Sequence, residues 1–206
     1  MERISIVPMG KMDTRDAAKV TARAFAPTPF TMAIFRDEQK AEQGMLRVFQ
    51  VILERFPGQV LVAKEGGRVV GVMRMVEWPQ CQMTPLQAMR FLPTMLGTGL
   101  GAGLRGMKGR GTWSKLDPKE LHWHLDPLVV VPERQGKGIG SQLLREFCAR
   151  VDNTGLAAYL ETDRQDNVRL YQRFGFQVIK EAPVIGIQCW FMWRPPRQDT
   201  KLSVPS

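Results

Sequence analysis

The chain has 206 residues and a mass of 23.3 kDa, which suits a single domain with a sizeable core, expected over residues 1–195. Hydrophobic residues make up 44% and charged residues 24%, and this ordinary globular composition excludes disorder over most of the length. The net charge of +9 favours an anionic partner, which could be nucleic acid, a membrane surface or a phosphorylated cofactor.

The cysteines and the N-terminus indicate a cytoplasmic protein. Cys81, Cys148 and Cys189 are far apart and form no CxxC pair, so neither a disulfide framework nor a bound metal is predicted. The N-terminus lacks the apolar region of a signal peptide. The uncharged stretch 91–104 is shorter than the roughly 20 residues that span a bilayer, so no membrane segment is expected.

The first part of the chain has the pattern of a strand, two helices and a hairpin. Residues 4–7 are expected to form a strand, and Asp13 is placed to cap the first helix. The Pro-Thr-Pro segment 27–29 should end that helix, and a second helix should begin near Asp37. A β-rich hairpin follows over residues 59–76, with Glu-Gly-Gly as its turn.

Residues 79–118 differ from the rest of the chain. A possible helical face is interrupted at Pro93, and seven glycines then fall between residues 97 and 111. Glycine loses the most conformational entropy on ordering, so this density argues against regular structure. The stretch is also basic, through Arg105, Lys108, Arg110 and Lys115. It is therefore expected to be a flexible insert or a solvated linker loop.

Strands and helices alternate in the last third of the chain, which predicts an α/β or α+β arrangement of layers. The expected strands are residues 125–131, 157–161, 176–180 and 187–193, and the expected helices are residues 141–151 and 166–174. The tail 196–206 is expected to be disordered.

The sharpest local feature is the glycine-rich segment 135–141, Gln-Gly-Lys-Gly-Ile-Gly-Ser, between a strand and a helix. Glycines let a ligand approach the backbone, and a helix N-terminus offers free N–H groups, so the segment suits a phosphate or pyrophosphate. It lacks the Lys-Ser/Thr pair of a mononucleotide P-loop and the GxGxxG spacing of a dinucleotide site. A tight strand-to-helix turn without a ligand is the alternative.

The wider sequence resembles a known superfamily. Residues 128–141 resemble motif A of the GNAT acyl-CoA N-acyltransferases, with the [RQ]xxGx[GA] signature at 135–140. Residues 160–162, Asn167 and residues 171–176 resemble motif B. The stretch from His122 to the C-terminal Trp-Arg-Pro is similar to the puromycin N-acetyltransferase-like branch.

This resemblance implies the GNAT fold, a mixed and mostly antiparallel sheet with helices on both faces and splayed central strands. It also implies roles for individual residues. Asn167 would hydrogen-bond the pantetheine of acetyl-CoA, and Tyr171 would be the general acid beside the thioester sulfur. The backbone of Leu128, Val129 and Val130 would bind the pantetheine arm, and the pyrophosphate would be held by Gln135, Gly136, Lys137, Gly138, Ile139, Gly140 and Ser141. One departure is Val131, where the family commonly has Asp.

The residues themselves support part of this assignment. Asn167 and Tyr171 are four apart in a predicted helix and therefore share a face. Without the motif, a core tyrosine packed beside Phe174 is the favoured interpretation of Tyr171. The base that takes the proton of the substrate amine is less defined. The candidates are Glu161, His124, His122 and Glu77, and a relay through water is an alternative.

The sequence is thus expected to encode an N-acetyltransferase that transfers the acetyl group of acetyl-CoA directly to an amine. A small-molecule amine is the favoured acceptor. The alternative is a non-catalytic acyl-CoA-binding regulatory module of the same fold. The acceptor contacts are expected from the first-half helices, the end of the hairpin and the insert. A monomer or homodimer that binds no nucleic acid is expected, because the basic residues are not interleaved with aromatics on a nucleic-acid module.

Overall fold

Seven strands form one sheet in the computed structural model, which describes residues 3–197. The strand order is β1-β2-β3-β4-β5-β7-β6, and the only parallel pair among them is β4 with β5. The strands are β1 (Ser5–Pro8), β2 (Gln59–Glu65), β3 (Arg68–Glu77), β4 (His122–Val130), β5 (Ala157–Thr162), β6 (Gln177–Val184) and β7 (Ile187–Arg194).

The described residues form seven α-helices: α1 (Thr14–Phe25), α2 (Pro29–Phe35), α3 (Glu38–Arg55), α4 (Pro85–Leu96), α5 (Leu100–Leu116), α6 (Ile139–Asp152) and α7 (Gln165–Gln172). Helix α1 packs on α3 and on the middle strands, and α6 packs on β2, β3 and β4. The predicted fold class, a mixed and mostly antiparallel sheet with helices on both faces, is confirmed.

Capping explains where the helices of the first half begin. Asp37 accepts a hydrogen bond from the backbone N–H of Lys40 at 2.8 Å and so starts α3, as predicted. Asp13 instead accepts from the backbone of Gly10 and pairs with Lys64 at 2.7 Å, so its side chain does not cap α1. Helix α1 ends before the Pro-Thr-Pro segment as expected, but that segment also begins the short helix α2, which was not predicted.

The central strands diverge, as the predicted fold requires. Strand β4 pairs with β5 only from His122 to His124, opposite Ala157 to Tyr159. Beyond these positions both strands continue, β4 to Val130 and β5 to Thr162, without pairing to each other. The gap leaves backbone groups of both strands open to a ligand.

The prediction of irregular structure over residues 79–118 is wrong. This segment forms two helices, α4 and α5, and α4 continues through Pro93. The glycines of α5 serve close packing: a Cβ at Gly103 would lie 2.7 Å from the Met95 carbonyl oxygen, and one at Gly109 would lie 2.7 Å from the Phe30 ring. Contact with neighbouring elements therefore outweighs the poor helix propensity of glycine here. All but the first two residues of the predicted disordered tail, 196–206, lie outside the described residues.

Two glycines of α5 provide a test of this helix. Gly111 is exposed, with nothing within 4 Å of a Cβ, so Gly111→Ala should raise the free energy of unfolding by about 0.5–1 kcal/mol. Gly103 is buried against the backbone of α4, so Gly103→Ala should lower it by about 1–3 kcal/mol. Urea unfolding measures both, and two variants with unchanged stability would contradict a folded α5.

Candidate active site

A cavity of about 640 Å³ fills the gap between the diverging strands. Its walls include the end of β4, the glycine-rich loop, the first turn of α6 and one face of α7. The lining includes these predicted residues: Leu128, Val129, Val130, Gln135, Gly136, Gly138, Ile139, Gly140, Ser141, Glu161, Asn167 and Tyr171. Of the predicted cofactor-binding set, only Lys137 is outside the lining, and it is exposed to solvent.

The glycine-rich loop has the backbone conformation that its sequence suggests. Gly136 and Gly138 have positive φ values of 73° and 80°, and a Cβ at either would meet nothing within 4 Å. Gln135 Nε2 donates to the Val130 carbonyl at 2.9 Å and ties the loop back to β4. The first N–H groups of α6 have no intrahelical acceptor, so the loop presents positive partial charge to the cavity.

Asn167 and Tyr171 lie on the same face of α7, as predicted, and both line the cavity. Asn167 Nδ2 donates to Thr162 Oγ1 at 3.3 Å, which orients the amide against β5. The Tyr171 ring packs edge-on against Phe176, with ring centroids 6.0 Å apart. Burial, assisted by the charges of Glu161 and Asp163, raises the pKa of Tyr171 well above its ordinary value. The phenol is therefore protonated at neutral pH.

Two of the predicted bases form a pair. His124 Nε2 lies 2.9 Å from Glu161 Oε2, across the parallel pairing of β4 and β5. Burial disfavours the charged form of His124, but Glu161, Cys81 and Asp126 outweigh it and raise the His124 pKa well above its ordinary value. Glu161 lines the 640 Å³ cavity, whereas His124 does not.

The other two candidate bases lie elsewhere. His122 is completely buried and contacts Asp117 at 3.3 Å, and it does not line the cavity. Glu77, at the end of β3, is opposite Trp123 and is also absent from the lining. The structure therefore brings Glu161 and His124, but not Glu77, to the junction of the two central strands.

A second cavity, of about 380 Å³, lies beneath the helices of residues 79–118. Its apolar lining includes Met83, Phe91 and Met95, and its polar lining includes His124 and Arg110. Trp113, Asp126 and Glu161 line both cavities, so the two meet at these three side chains. Sequence reasoning missed Trp113, because α5 was not predicted and nothing marked that residue among the glycines.

The basic residues of α5 have different surroundings. Arg105 Nε donates to the Ile34 carbonyl at 2.7 Å, so this guanidinium fastens α5 to α2. Arg110 instead lines the second cavity. Arg134 lines the first cavity and pairs with Glu65 at 2.6 Å. Of these three, Arg134 is therefore the one placed beside the glycine-rich loop.

Residues 27–176, more than half of the chain, match the family model described as the acetyltransferase (GNAT) family. The chain belongs to this family. The membership confirms the predicted enzyme class, an acetyl-CoA-dependent N-acetyltransferase. The narrower resemblance to the puromycin N-acetyltransferase-like branch stays a prediction.

Solved structures of GNAT proteins agree with this fold. The chain is similar to a Corynebacterium glutamicum protein described as histone acetyltransferase HPA2 and related acetyltransferase, with a TM-score of 0.70, 24% identity and coverage of 97% of this chain and 99% of that one. A Brucella melitensis GNAT acetyltransferase in complex with acetyl-CoA gives a TM-score of 0.55 at 20% identity, with coverage of 97% and 92%. The PaiA N-acetyltransferase of Thermoplasma acidophilum, in complex with coenzyme A, gives 0.55 at 15% identity, with coverage of 94% and 99%.

Among residues 3–197, no helix combines the length and the apolar character needed to cross a bilayer.

Proposed function

We propose that the enzyme acetylates a small-molecule amine by direct attack on acetyl-CoA in a ternary complex. The observation that carries this proposal is the meeting of the two cavities at Glu161, with Tyr171 in the larger one. The larger cavity suits the donor, acetyl-CoA, and the second cavity suits the acceptor amine. Their junction then brings the amine to the thioester carbonyl. The predicted cytoplasmic location and the monomeric or dimeric state belong to the same proposal.

The larger cavity suits the long, polar donor. From Leu128 to Val130, the edge of β4 that faces away from β3 has no strand partner and offers hydrogen bonds to the pantetheine amides, as in the addition of a strand. Asn167 lies across the gap and also lines the cavity. The N–H groups at the start of α6, with Gly136 and Gly138 beside them, suit the pyrophosphate.

Proton transfers accompany each step of the reaction. The protonated amine first gives a proton to Glu161, which passes it to water. The uncharged nitrogen then attacks the thioester carbonyl and forms the N–C bond, and Glu161 takes the second proton from this nitrogen. When the C–S bond breaks, the departing thiolate takes a proton from the Tyr171 hydroxyl. His124 holds the Glu161 carboxylate through the 2.9 Å contact and is thus a positioning residue. The described cysteines, Cys81, Cys148 and Cys189, are outside the larger cavity, so no acyl-cysteine intermediate is invoked.

The second cavity supports a small acceptor with an apolar body. Its volume of about 380 Å³ falls in the range of small-molecule pockets. Its lining combines methionine and phenylalanine side chains with the carboxylates of Asp117, Asp126 and Glu161, of which Asp126 and Glu161 lie at the donor end. Such a site would orient the amine towards the donor and bury the rest of the molecule.

Thermal unfolding and thiol release test the proposal together. Acetyl-CoA at about 100 times its dissociation constant should add about 2.7 kcal/mol to the stability, whereas ATP should add little. Release of free CoA thiol across a panel of aliphatic amines, polyamines and peptides then identifies the acceptor class. Stabilisation by acetyl-CoA without turnover on any amine would favour the non-catalytic acyl-CoA-binding module. No stabilisation by either CoA species would contradict the donor site.

A matched pair of glycines tests the pyrophosphate contact. Gly138→Ala forces a side chain into a left-handed conformation at the start of α6 and should weaken CoA binding about tenfold or more. Gly155 has a similar φ of 67° and equally open surroundings, but it follows the far end of α6. Gly155→Ala should therefore cost similar stability and leave the Kd for CoA unchanged. Equal Kd values for both variants, measured by calorimetry, would argue against this contact.

A further inference from the structure

A cluster of four potential metal ligands includes His124, and three of its members, Cys81, Asp117 and His124, line the second cavity. Cys81 comes from the turn after β3, Asp117 follows α5, and His122 and His124 project from the same face of β4. One potential ligand atom from each residue lies within 4.8 Å of the other three. Asp117, His122 and His124 are buried, and Cys81 is partly buried.

The hydrogen bonds of the two histidines fix which nitrogens face the cluster. His122 Nδ1 lies 2.6 Å from the Glu120 carbonyl oxygen, which can only accept, so Nδ1 carries the proton. His124 Nε2 lies 2.9 Å from the Glu161 carboxylate, so Nε2 carries the proton there. A metal binds only neutral imidazoles, and in the neutral rings His122 Nε2 and His124 Nδ1 hold the lone pairs.

These lone pairs are buried without a donor. His122 Nε2, His124 Nδ1 and Asp117 Oδ1 each lack a hydrogen-bond partner and are shielded from solvent. Two of these acceptors, His122 Nε2 and Asp117 Oδ1, are only 3.3 Å apart. Acceptors facing one another in a buried space are costly unless a cation or an added proton lies between them.

We propose that Cys81 Sγ, Asp117 Oδ1, His122 Nε2 and His124 Nδ1 bind one Zn²⁺ ion. Sulfur, imidazole and carboxylate ligands in a set of four are typical of tetrahedral zinc. Ligand atoms around such an ion lie about 3.3–3.8 Å apart, so the cluster needs to contract by about 1 Å at its widest. The sequence predicted no metal, because two of the ligands come from distant segments and no cysteine pair is present.

The surroundings of the cluster are those of a metal site. Zinc-binding histidines donate their second N–H to a carboxylate or a backbone carbonyl, and Glu161 and Glu120 supply these two acceptors. Gln82 Nε2 donates to the other oxygen of Asp117, Oδ2, and leaves Oδ1 for the ion. Four protein ligands fill the coordination sphere of zinc, so the ion has a structural role: it fastens the turn at Cys81 and the end of α5 to β4.

Elemental analysis of untagged protein, expressed with zinc, should give about one zinc ion per chain. The chain's two histidines both belong to the cluster, so no other histidine can account for the metal. Removing zinc with a chelator should lower the melting temperature by about 5–10 °C, and adding zinc should restore it. Cobalt in place of zinc should give the visible absorption of a tetrahedral site, with a thiolate charge-transfer band.

Three variants locate the metal. Cys81→Ser and His122→Gln should each weaken zinc binding more than about tenfold, and Cys81→Ser should abolish the thiolate band. Cys148→Ala removes another buried thiol, on α6, and should keep full zinc content. Metal-free protein that neither binds added zinc nor is stabilised by it would overturn the proposal, and so would equal zinc content in all three variants. None of these measurements uses acetyl-CoA or turnover, so the zinc site and the proposed function fail or stand separately.

Discussion

Replacing Tyr171 with phenylalanine is expected to lower kcat by about 10²–10⁴-fold and to leave the Kd for acetyl-CoA almost unchanged. The substitution removes the hydroxyl that we propose as the proton donor to the departing thiolate. It keeps the ring that packs against Phe176, so the fold and the shape of the cavity should persist. Steady-state kinetics, with CoA binding measured by calorimetry, separates the two effects.

The pH dependence of the wild-type enzyme provides an independent check on Tyr171. Burial and the neighbouring charges of Glu161 and Asp163 raise the pKa of this phenol, so it keeps its proton at higher pH than an ordinary tyrosine. An acid that stays protonated does not limit the rate as the pH rises. The rate should therefore show no fall due to deprotonation of Tyr171 below about pH 10.

The Tyr171→Phe variant also distinguishes an acetyltransferase from a non-catalytic acyl-CoA-binding module of the same fold. An enzyme would lose turnover and keep its affinity for acetyl-CoA, whereas a non-catalytic acyl-CoA-binding module would lose little of any function. A Tyr171→Phe variant that keeps most of the wild-type kcat would show that another group protonates the thiolate. Unchanged melting temperature serves as the control for folding.

Many residues that line the larger cavity, our proposed donor site, could be predicted because they are close together in sequence. The strand, the glycine-rich loop and the start of α6 occupy residues 122–152, and their order in the chain alone places the loop at the end of the strand. Asn167 and Tyr171 likewise share a helical face through their spacing of four. Such local relationships can be recognised without knowing the tertiary structure.

The second cavity, our proposed acceptor site, depends on long-range contacts that the sequence does not reveal. Glycine density predicted irregular structure over residues 79–118, yet Gly103 and Gly109 allow α5 to pack closely on Met95 and Phe30. This packing places Trp113 at the junction of the two cavities. Propensity is a property of each residue, whereas the energy of close packing depends on partners far along the chain.

The cluster of four potential metal ligands was missed for the same reason. The two histidines were noticed, but Cys81 lies 41 residues before His122 in the sequence, and only the folded chain brings the two together. The sequence left Glu161 as one of several candidate bases, and its position in the lining of both cavities follows only from the folded chain. Its contact with His124 comes from the parallel pairing of β4 and β5, which no local pattern specifies.

Glu161→Gln should therefore be the second variant with a large effect. It is expected to lower kcat/KM at neutral pH by about 10²–10⁴-fold, because an amide cannot accept the proton of the attacking amine. The amide oxygen can still accept the hydrogen bond from His124, so the pairing of the two side chains should survive.

The pH dependence of this variant distinguishes a base from a binding group. An aliphatic amine with a pKa of about 10.4 is mostly protonated at neutral pH, and its free fraction rises about tenfold with each pH unit. Without Glu161 the enzyme depends on this free amine, so the rate of the variant should climb steeply from pH 7 to 9 and the deficit should shrink. A rise in KM alone, with kcat preserved, would instead assign Glu161 to binding the ammonium group.

Glu181→Gln is the matched control, because it removes the same charge from an exposed position on β6 that lines neither cavity. It should keep wild-type kinetics at every pH. If Glu161→Gln behaved like this control, the amine would lose its proton to water instead. Glu161 would then only help to shape the acceptor site at the junction of the two cavities. A carboxylate base requires that kcat/KM fall only in Glu161→Gln and that this loss become smaller as the pH rises.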